Sequence, residues 1–323
     1  MSDDLAIGID IGGTKVAGGV VDGAGQILAR TRRDTPHRTT APRVVEDLIV
    51  ECVTELLATP EARGAVVAVG IGAAGFVSAD RASVVFAPHL SWRSEPLRDS
   101  LQQRIPVPIT VENDANAAAW AEATFGAARG ETHAVMITLG TGIGGALVID
   151  RRIQRGRYGI AGEFGHMQIV PDGIRCECGN RGCWEQYASG NALVREAQHL
   201  IDAGSPVVAE ILNRLGGDRS GLTGPFITES ARHGDPMARE LLADIGYWLG
   251  LGMANLAAAF DPGLFVVGGG VSAADEMLLG PAREAFRRQL TGRGYRPEAR
   301  IVRAKLGPEA GLIGAATLAR SEA

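Results

Sequence analysis

Short apolar runs broken by glycine alternate along this chain with stretches of helical spacing. Residues 5–11 are almost wholly apolar, stop at Gly12-Gly13-Thr14 and resume from Val16 to Val21, a pattern that predicts strand, tight turn and strand. Val44, Val45, Leu48, Ile49, Val53, Leu56 and Leu57 then recur at helical spacing and predict a helix over 43–58, with Cys52 on its apolar side. After three opening strands and this helix, a strand at 66–71, a turn at 72–75, a helix near 95–104, a strand at 109–111 and a helix from Asn113 through Phe125 complete a βββαβαβα order. Residues 135–150 repeat the opening hairpin around Gly140-Thr141-Gly142. A long helix over about 235–259, ended by Asp261-Pro262-Gly263, leads to a strand at 264–267 and a helix from about Ala274. The apolar stretch 311–318 predicts a last helix returning to the first half. This is an α/β chain of two domains on one plan, with expected boundaries at 1–114 plus about 305–323 for the smaller and 115–304 for the larger.

Composition narrows the class. At 323 residues and 46% apolar, the chain has material for two ordinary domains. A net charge of −5 speaks against a nucleic-acid surface, and the basic stretch 30–38 reads as a solvated strand end. Glycine interrupts the longest apolar run, 65–77, before it reaches the ~18 residues of a membrane span. The start Met-Ser-Asp-Asp lacks the features of a signal peptide, so the expectation is a cytoplasmic protein with Cys52 reduced in the core.

The 44 glycines gather in clusters flanked by apolar residues, as working turns do. Two matched hairpin turns, Gly12 to Lys15 and Thr141 to Gly144, offer backbone N–H groups and a Thr hydroxyl to a phosphate, and Asp10 heads the first with a carboxylate that could hold hydrated Mg²⁺. A hairpin bend alone would also explain either turn. Neither is the common phosphate loop, which ends in Gly-Lys-Ser/Thr before a helix. The turn Gly268-Gly269-Gly270 leaves room for adenine or ribose against bare backbone, or is simply a strand-to-helix turn.

Cys176, Cys178 and Cys183 fall within eight residues, and His166 stands ten before the first. Three thiolates and an imidazole match a closed tetrahedral zinc site of structural type. A disulfide or reactive thiols compete with that reading, but nothing points to an oxidising compartment. Such a metal would pin Glu163 and Glu185, which flank the cluster.

The block Glu112-Asn113-Asp114-Ala115-Asn116 sits where a strand meets an alanine-rich helix. Helix capping explains one polar residue there better than four in five positions. Asp114 could accept the proton of a hydroxyl attacking a γ-phosphoryl group, and an unshifted carboxylate, near 3.9, is expected to suffice because phosphoryl transfer asks mainly for alignment.

Taken jointly, Asp10-Ile-Gly-Gly-Thr-Lys15, Glu112-Asn-Asp-Ala-Asn-Ala-Ala118, Leu139-Gly-Thr-Gly-Ile-Gly-Gly145, Glu163-Phe-Gly-His166 and Cys176-x-Cys178-Gly-x-x-Gly-Cys183-x-Glu185 resemble the ROK family over nearly the whole chain and, within it, the actinobacterial ATP-dependent glucokinases. The resemblance implies a two-domain actin-like (ribonuclease H-like) fold with duplicated βββαβα units and a cleft between domains. It implies phosphorylation of glucose at the 6-hydroxyl by ATP with Mg²⁺, with Asp114 as general base. Sugar contacts would come from Gly75, Asn113, Asp114, Glu163, His166 and Glu185, and zinc from His166 with Cys176, Cys178 and Cys183. ATP phosphates would lie at Asp10, Gly12, Gly13, Thr14, Lys15, Thr141, Gly142 and Gly144, and adenosine near Gly268, Gly269 and Gly270. A homodimer or homotetramer, with no nucleic-acid or membrane partner, is the expected assembly. The segment Ala87-Pro88-His89-Leu90 carries His where many members have Asn. Kinases of N-acetylglucosamine, N-acetylmannosamine, allose or fructose are the next expectation. A sugar-sensing repressor is third, because the first strand begins near Leu5 with no room for a preceding helix-turn-helix.

Overall fold

The computed structural model describes residues 4–323. The order opens with β1 (Leu5–Ile11), β2 (Lys15–Val21), β3 (Ile27–Asp34), α1 (Pro42–Leu57) and β4 (Val66–Ala73). Three short strands follow, β5 (Phe76–Val77), β6 (Val84–Phe86) and β7 (Arg93–Glu95), then α2 (Leu97–Gln102), β8 (Ile109–Asn113) and α3 (Asp114–Thr124). Next come β9 (His133–Leu139), β10 (Ile143–Ile149), β11 (Arg152–Ile153), α4 (Glu185–Ala188), α5 (Gly190–Asp202), α6 (Ala209–Leu215), α7 (Gly224–Arg232) and α8 (Pro236–Phe260). The chain ends with β12 (Leu264–Gly268), α9 (Glu276–Gln289), β13 (Arg300–Arg303) and α10 (Ala310–Arg320).

The two five-stranded sheets run β3-β2-β1-β4-β8 and β11-β10-β9-β12-β13, the same plan twice, as the matched hairpins predict. In the first, β1 pairs antiparallel with β2 and parallel with β4, which pairs parallel with β8. Strands covered on both faces read as continuous apolar runs, and β1 and β4 do. Gly8 and Gly70 are register partners, and a Cβ at either would run into the backbone of α10 at Leu312 or Ala315. That close approach seats the last helix on the strands that end at Ile11 and Ala73.

The chain divides into two compact units. One holds everything described up to Thr132, with Ala146–Gly162 and Lys305–Ala323; the other holds His133–Gly145 and Glu163–Ala304. In the second unit β12 pairs parallel with both β9 and β13, and α8 packs on α9.

Three details depart from expectation. The small sheet β5-β6-β7 has strands of two or three residues, too short to show a period. The turn after β12 enters a 3₁₀ helix, Gly270–Ala274, before α9 begins at Glu276. The expectation that no segment is long and apolar enough for a membrane is corrected by α8, the one helix among the described residues that is. Its apolar window is 61% buried, and a helix inside a large core is apolar on most sides for that reason.

Candidate functional site

In the first unit, β1 delivers Asp10 and the turn Gly12-Gly13-Thr14 reverses the chain into β2 at Lys15. Gly12 N–H donates to the Lys15 carbonyl at 2.9 Å, and the Thr35 hydroxyl donates to the Gly12 carbonyl at 2.7 Å, so the turn is held from both sides. The backbone at Gly13 and Thr14 is exposed. A Cβ on Gly13 would lie 3.2 Å from the His89 ring, which puts the residue noted for its departure from the family pattern beside this turn. Burial lifts the Asp10 carboxyl to about 6, against the opposing charge of Lys15.

Asn113 and Asp114 sit where β8 becomes α3. Asn113 caps the helix: its Oδ1 accepts the Asn116 N–H at 3.0 Å. Its Nδ2 donates to the Gly75 carbonyl and to Asp114 Oδ1, both at 3.1 Å. Capping and the placing of Asp114 are therefore done by one amide. The Asp114 carboxyl is pushed up to about 7, first by burial and then by the nearby negative charge of Asp10, against the N–H groups at the helix start and the Asn113 amide. An ordinary carboxylate was expected to suffice here, and this one is raised by its surroundings.

In the second unit the ligand atoms of His166, Cys176, Cys178 and Cys183 all lie within 4.8 Å of one another. Cys178 Sγ is 3.6 Å from Cys183 Sγ, and Cys176 Sγ is 3.7 Å from His166 Nδ1. A tetrahedron of sulfur ligands at about 2.3 Å from zinc has edges of about 3.7 Å, so the set fits that ion, and 3.6 Å is far beyond a disulfide bond. Its spacing comes from a tight loop: Gly179 N–H donates to the Cys176 carbonyl and Cys176 N–H to the Asn180 carbonyl. Nδ1 faces the sulfurs, whereas Nε2 points toward Glu163, 4.0 Å from its Oε2. Glu185, at the start of α4, brings Oε1 to 3.1 Å from Cys176 Sγ and 3.5 Å from His166 Nδ1. Its Oε2 fills the space that a side chain on Gly142 would need. The cluster thus gathers Glu163, His166 and Glu185, and brings Glu185 to the second glycine turn.

That turn joins β9 to β10. Gly140 N–H donates to the Gly142 carbonyl at 3.0 Å, and the N-terminal end of α5 braces it, with Gly190 N–H on the Gly140 carbonyl at 2.9 Å and Asn191 N–H on that of Thr141 at 3.3 Å. Gly269, with a positive φ of 80°, packs on the backbone of Leu139, so the turn at Gly268 to Gly270 lies next to the one at Thr141 to Gly144.

A buried carboxylate in an ion pair lies beside the Asn113 to Asp114 junction. Glu112 is 1% exposed, and Arg155 Nε and Nη2 reach its Oε2 at 2.7 and 2.5 Å. A carboxylate inside a buried strand was the available signal, since such a group must be paired.

Compared with known proteins, the profile described as the ROK family matches residues 6–322. A glucokinase of Streptomyces coelicolor is 48% identical over 317 residues, covering 98% of each chain. The crystal structure of a ROK family glucokinase from Streptomyces griseus in complex with glucose and AMPPNP is 49% identical, with a TM-score of 0.89 over 98% of this chain and 99% of that one. The ROK hexokinase from Thermus thermophilus is 36% identical, with a TM-score of 0.79 over 98% of each chain. The chain belongs to the ROK family, whose kinases share the two-domain actin-like fold.

Proposed function

We propose that this protein is an ATP-dependent glucokinase that phosphorylates the 6-hydroxyl of glucose. The observation that carries it is the Asp114 carboxyl, bracketed by Asn113 and lifted to about 7, in a chain 48% identical to a glucokinase. In the reaction the 6-hydroxyl oxygen attacks the γ-phosphorus of ATP. The bond from that phosphorus to the bridging oxygen breaks, ADP leaves, and the hydroxyl proton passes to Asp114 Oδ. A base near neutrality accepts that proton more readily than an ordinary aspartate.

Sugar hydroxyls are held by Glu163, Glu185, the free Nε2 of His166, Asn113 and the backbone at Gly75. Carboxylates accept paired hydroxyl hydrogen bonds, and part of that bonding is lost when a hydroxyl is missing or inverted, which selects the sugar. His166 Nδ1, Cys176, Cys178 and Cys183 would hold zinc, which supplies structural rigidity to the loop and takes no part in the chemistry. Phosphates of ATP lie on the turns Gly12 to Lys15 and Thr141 to Gly144, and adenosine on Gly268 to Gly270. Asp10 is the carboxylate at the first turn suited to the Mg²⁺ that accompanies ATP. The reaction is placed in the cytoplasm. A homodimer or homotetramer is the assembly that the family resemblance carries, and light scattering measures it.

An ADP-release assay over a hexose panel tests the proposal. Glucose is expected to have the highest kcat/KM, with mannose poor and galactose poorer, at about 1 to 3 kcal/mol per stranded group. A clear preference for N-acetylglucosamine, N-acetylmannosamine, allose or fructose would remove glucose and leave a kinase. No turnover of any hexose would remove both.

A further inference from the structure

Glu112 is the last residue of β8 before Asn113, and every part of its buried carboxylate is engaged. Oε1 accepts the Asn113 N–H at 3.1 Å and the Asn116 side-chain amide at 3.0 Å. Those are the residues immediately before and two after Asp114. Oε2 takes two N–H groups of Arg155, at 2.7 and 2.5 Å, and Arg81 Nη1 stands 3.7 Å away, outside hydrogen-bonding range. Arg81 Nη2 goes to Glu322, and its Nη1 stays within ion-pair range of Glu112.

A carboxylate this dry is costly unless a cation pairs with it closely, and Arg155 makes that close pair while Glu112 accepts from the turn. Arg155 in turn begins the run 155–162, which carries on in the chain to Glu163 and is itself held, with Ala161 N–H on the Arg155 carbonyl at 3.0 Å.

We propose that Glu112 and Arg155 are a pair of positioning residues for the phosphoryl transfer: Glu112 fixes the Asn113 to Asn116 turn that aims Asp114, and Arg155 fixes Glu112. The inference rests on the kinase reading. Neither residue touches substrate, and misplacement of a base by about 1 Å costs roughly 100-fold in rate. The effect is expected to fall mainly on kcat, because the sugar contacts other than Gly75, Asn113 and Asp114 come from elsewhere.

The test uses the full chain with Glu112→Gln, Arg155→Met and both together. The glutamine keeps an oxygen for Asn113 and Asn116 but turns an NH₂ toward the N–H groups of Arg155, which isolates the ion pair. Each variant is assayed for ADP release at saturating glucose and ATP, for glucose KM, and for backbone amide exchange over residues 109–118. Each single variant is expected to lower kcat by about 10- to 100-fold with glucose KM moved less than about threefold, and to speed exchange over 109–118. The double variant should be no worse than the poorer single one, because residues acting as a unit do not add. Should Arg155→Met fail to fold with a stranded carboxylate, the double variant has none and carries the comparison with Glu112→Gln. A folded single variant with wild-type kcat, a loss confined to glucose KM, or losses that multiply in the double variant would overturn the proposal. Wild-type turnover of glucose and its loss in Asp114→Asn check the kinase reading separately, and amide exchange reads the pair whatever the substrate.

Discussion

The side-chain amide of Asn113 donates to Asp114 Oδ1 at 3.1 Å while its oxygen caps the helix that Asp114 opens. One short side chain therefore sets both the start of α3 and the carboxylate on it. Asp114→Asn should lower kcat by roughly 10² to 10⁴ while glucose binding survives, because an amide preserves hydrogen bonding but accepts no proton. Near-wild-type kcat in that variant would exclude Asp114 as the base.

The pH dependence follows from the same carboxyl, raised to about 7. The base form is lost as pH falls through about 7, so kcat/KM should drop on that side, and an acid limb near pH 4 would contradict the shift. For stability the sign is opposite. A folded carboxyl that titrates above its unfolded value binds its proton more tightly when folded, so stability falls as pH rises from about 4 to about 7. Asp114→Asn should melt higher than wild type at pH 8, with the gap closing toward pH 4.

Elemental analysis should find about one zinc per chain. Cys178→Ser should lose the metal and weaken glucose affinity together, since the loop that gathers Glu163, His166 and Glu185 would loosen. A Cys176–Cys183 disulfide in native protein without metal would refute the site.

Gly311 stands beside Asp10: a Cβ there would lie 3.0 Å from Asp10 Cγ and Oδ1, tighter than van der Waals contact. Alanine favours a helix over glycine by up to about 1 kcal/mol, so Gly311→Ala should leave the melting temperature unchanged or raised. Activity should nevertheless fall, by about tenfold, as the displaced carboxylate leaves its place at the first turn. Wild-type kcat and KM for ATP in this variant would show that the position of Asp10 is unimportant.

Glu46, buried on α1, has its carboxyl raised by burial first and then by the charge of Glu95, with Asp47 adding to the shift and Arg104 opposing it. Its charge forms at a cost as pH rises past the unfolded value near 4.3, so stability declines there. Glu46→Gln should raise the melting temperature at pH 8 by a few degrees and match wild type at pH 4. Equal melting at pH 8 would mean that the pair is relaxed by solvent.

Much of this molecule was legible in its chain because turn chemistry and metal chemistry are local. Gly12-Gly13-Thr14 and Thr141-Gly142 announced their bends because few residues tolerate such turns, and the spacing of Cys176, Cys178 and Cys183 announced a shared ligand because thiols in a short loop cannot separate far. The helical spacing of Val45, Ile49, Val53 and Leu56 likewise predicted α1, whose inner face those residues now form. Strands of two or three residues, such as β5, left no period to read.

The chain by itself determined the duplicated α/β plan, the Cys₃His ligand set, and the presence of Asp114 at a strand-to-helix junction, all of which rest on neighbours in sequence. Only the tertiary structure decided the surroundings of Asp114, because desolvation and the charge of Asp10 depend on groups 104 residues apart in the chain that folding brings together. It alone joined Glu112 to Arg155, 43 residues on, and set Glu185 against Gly142. Spacing along a chain specifies short-range geometry, whereas burial and long-range charge exist only once the chain has packed.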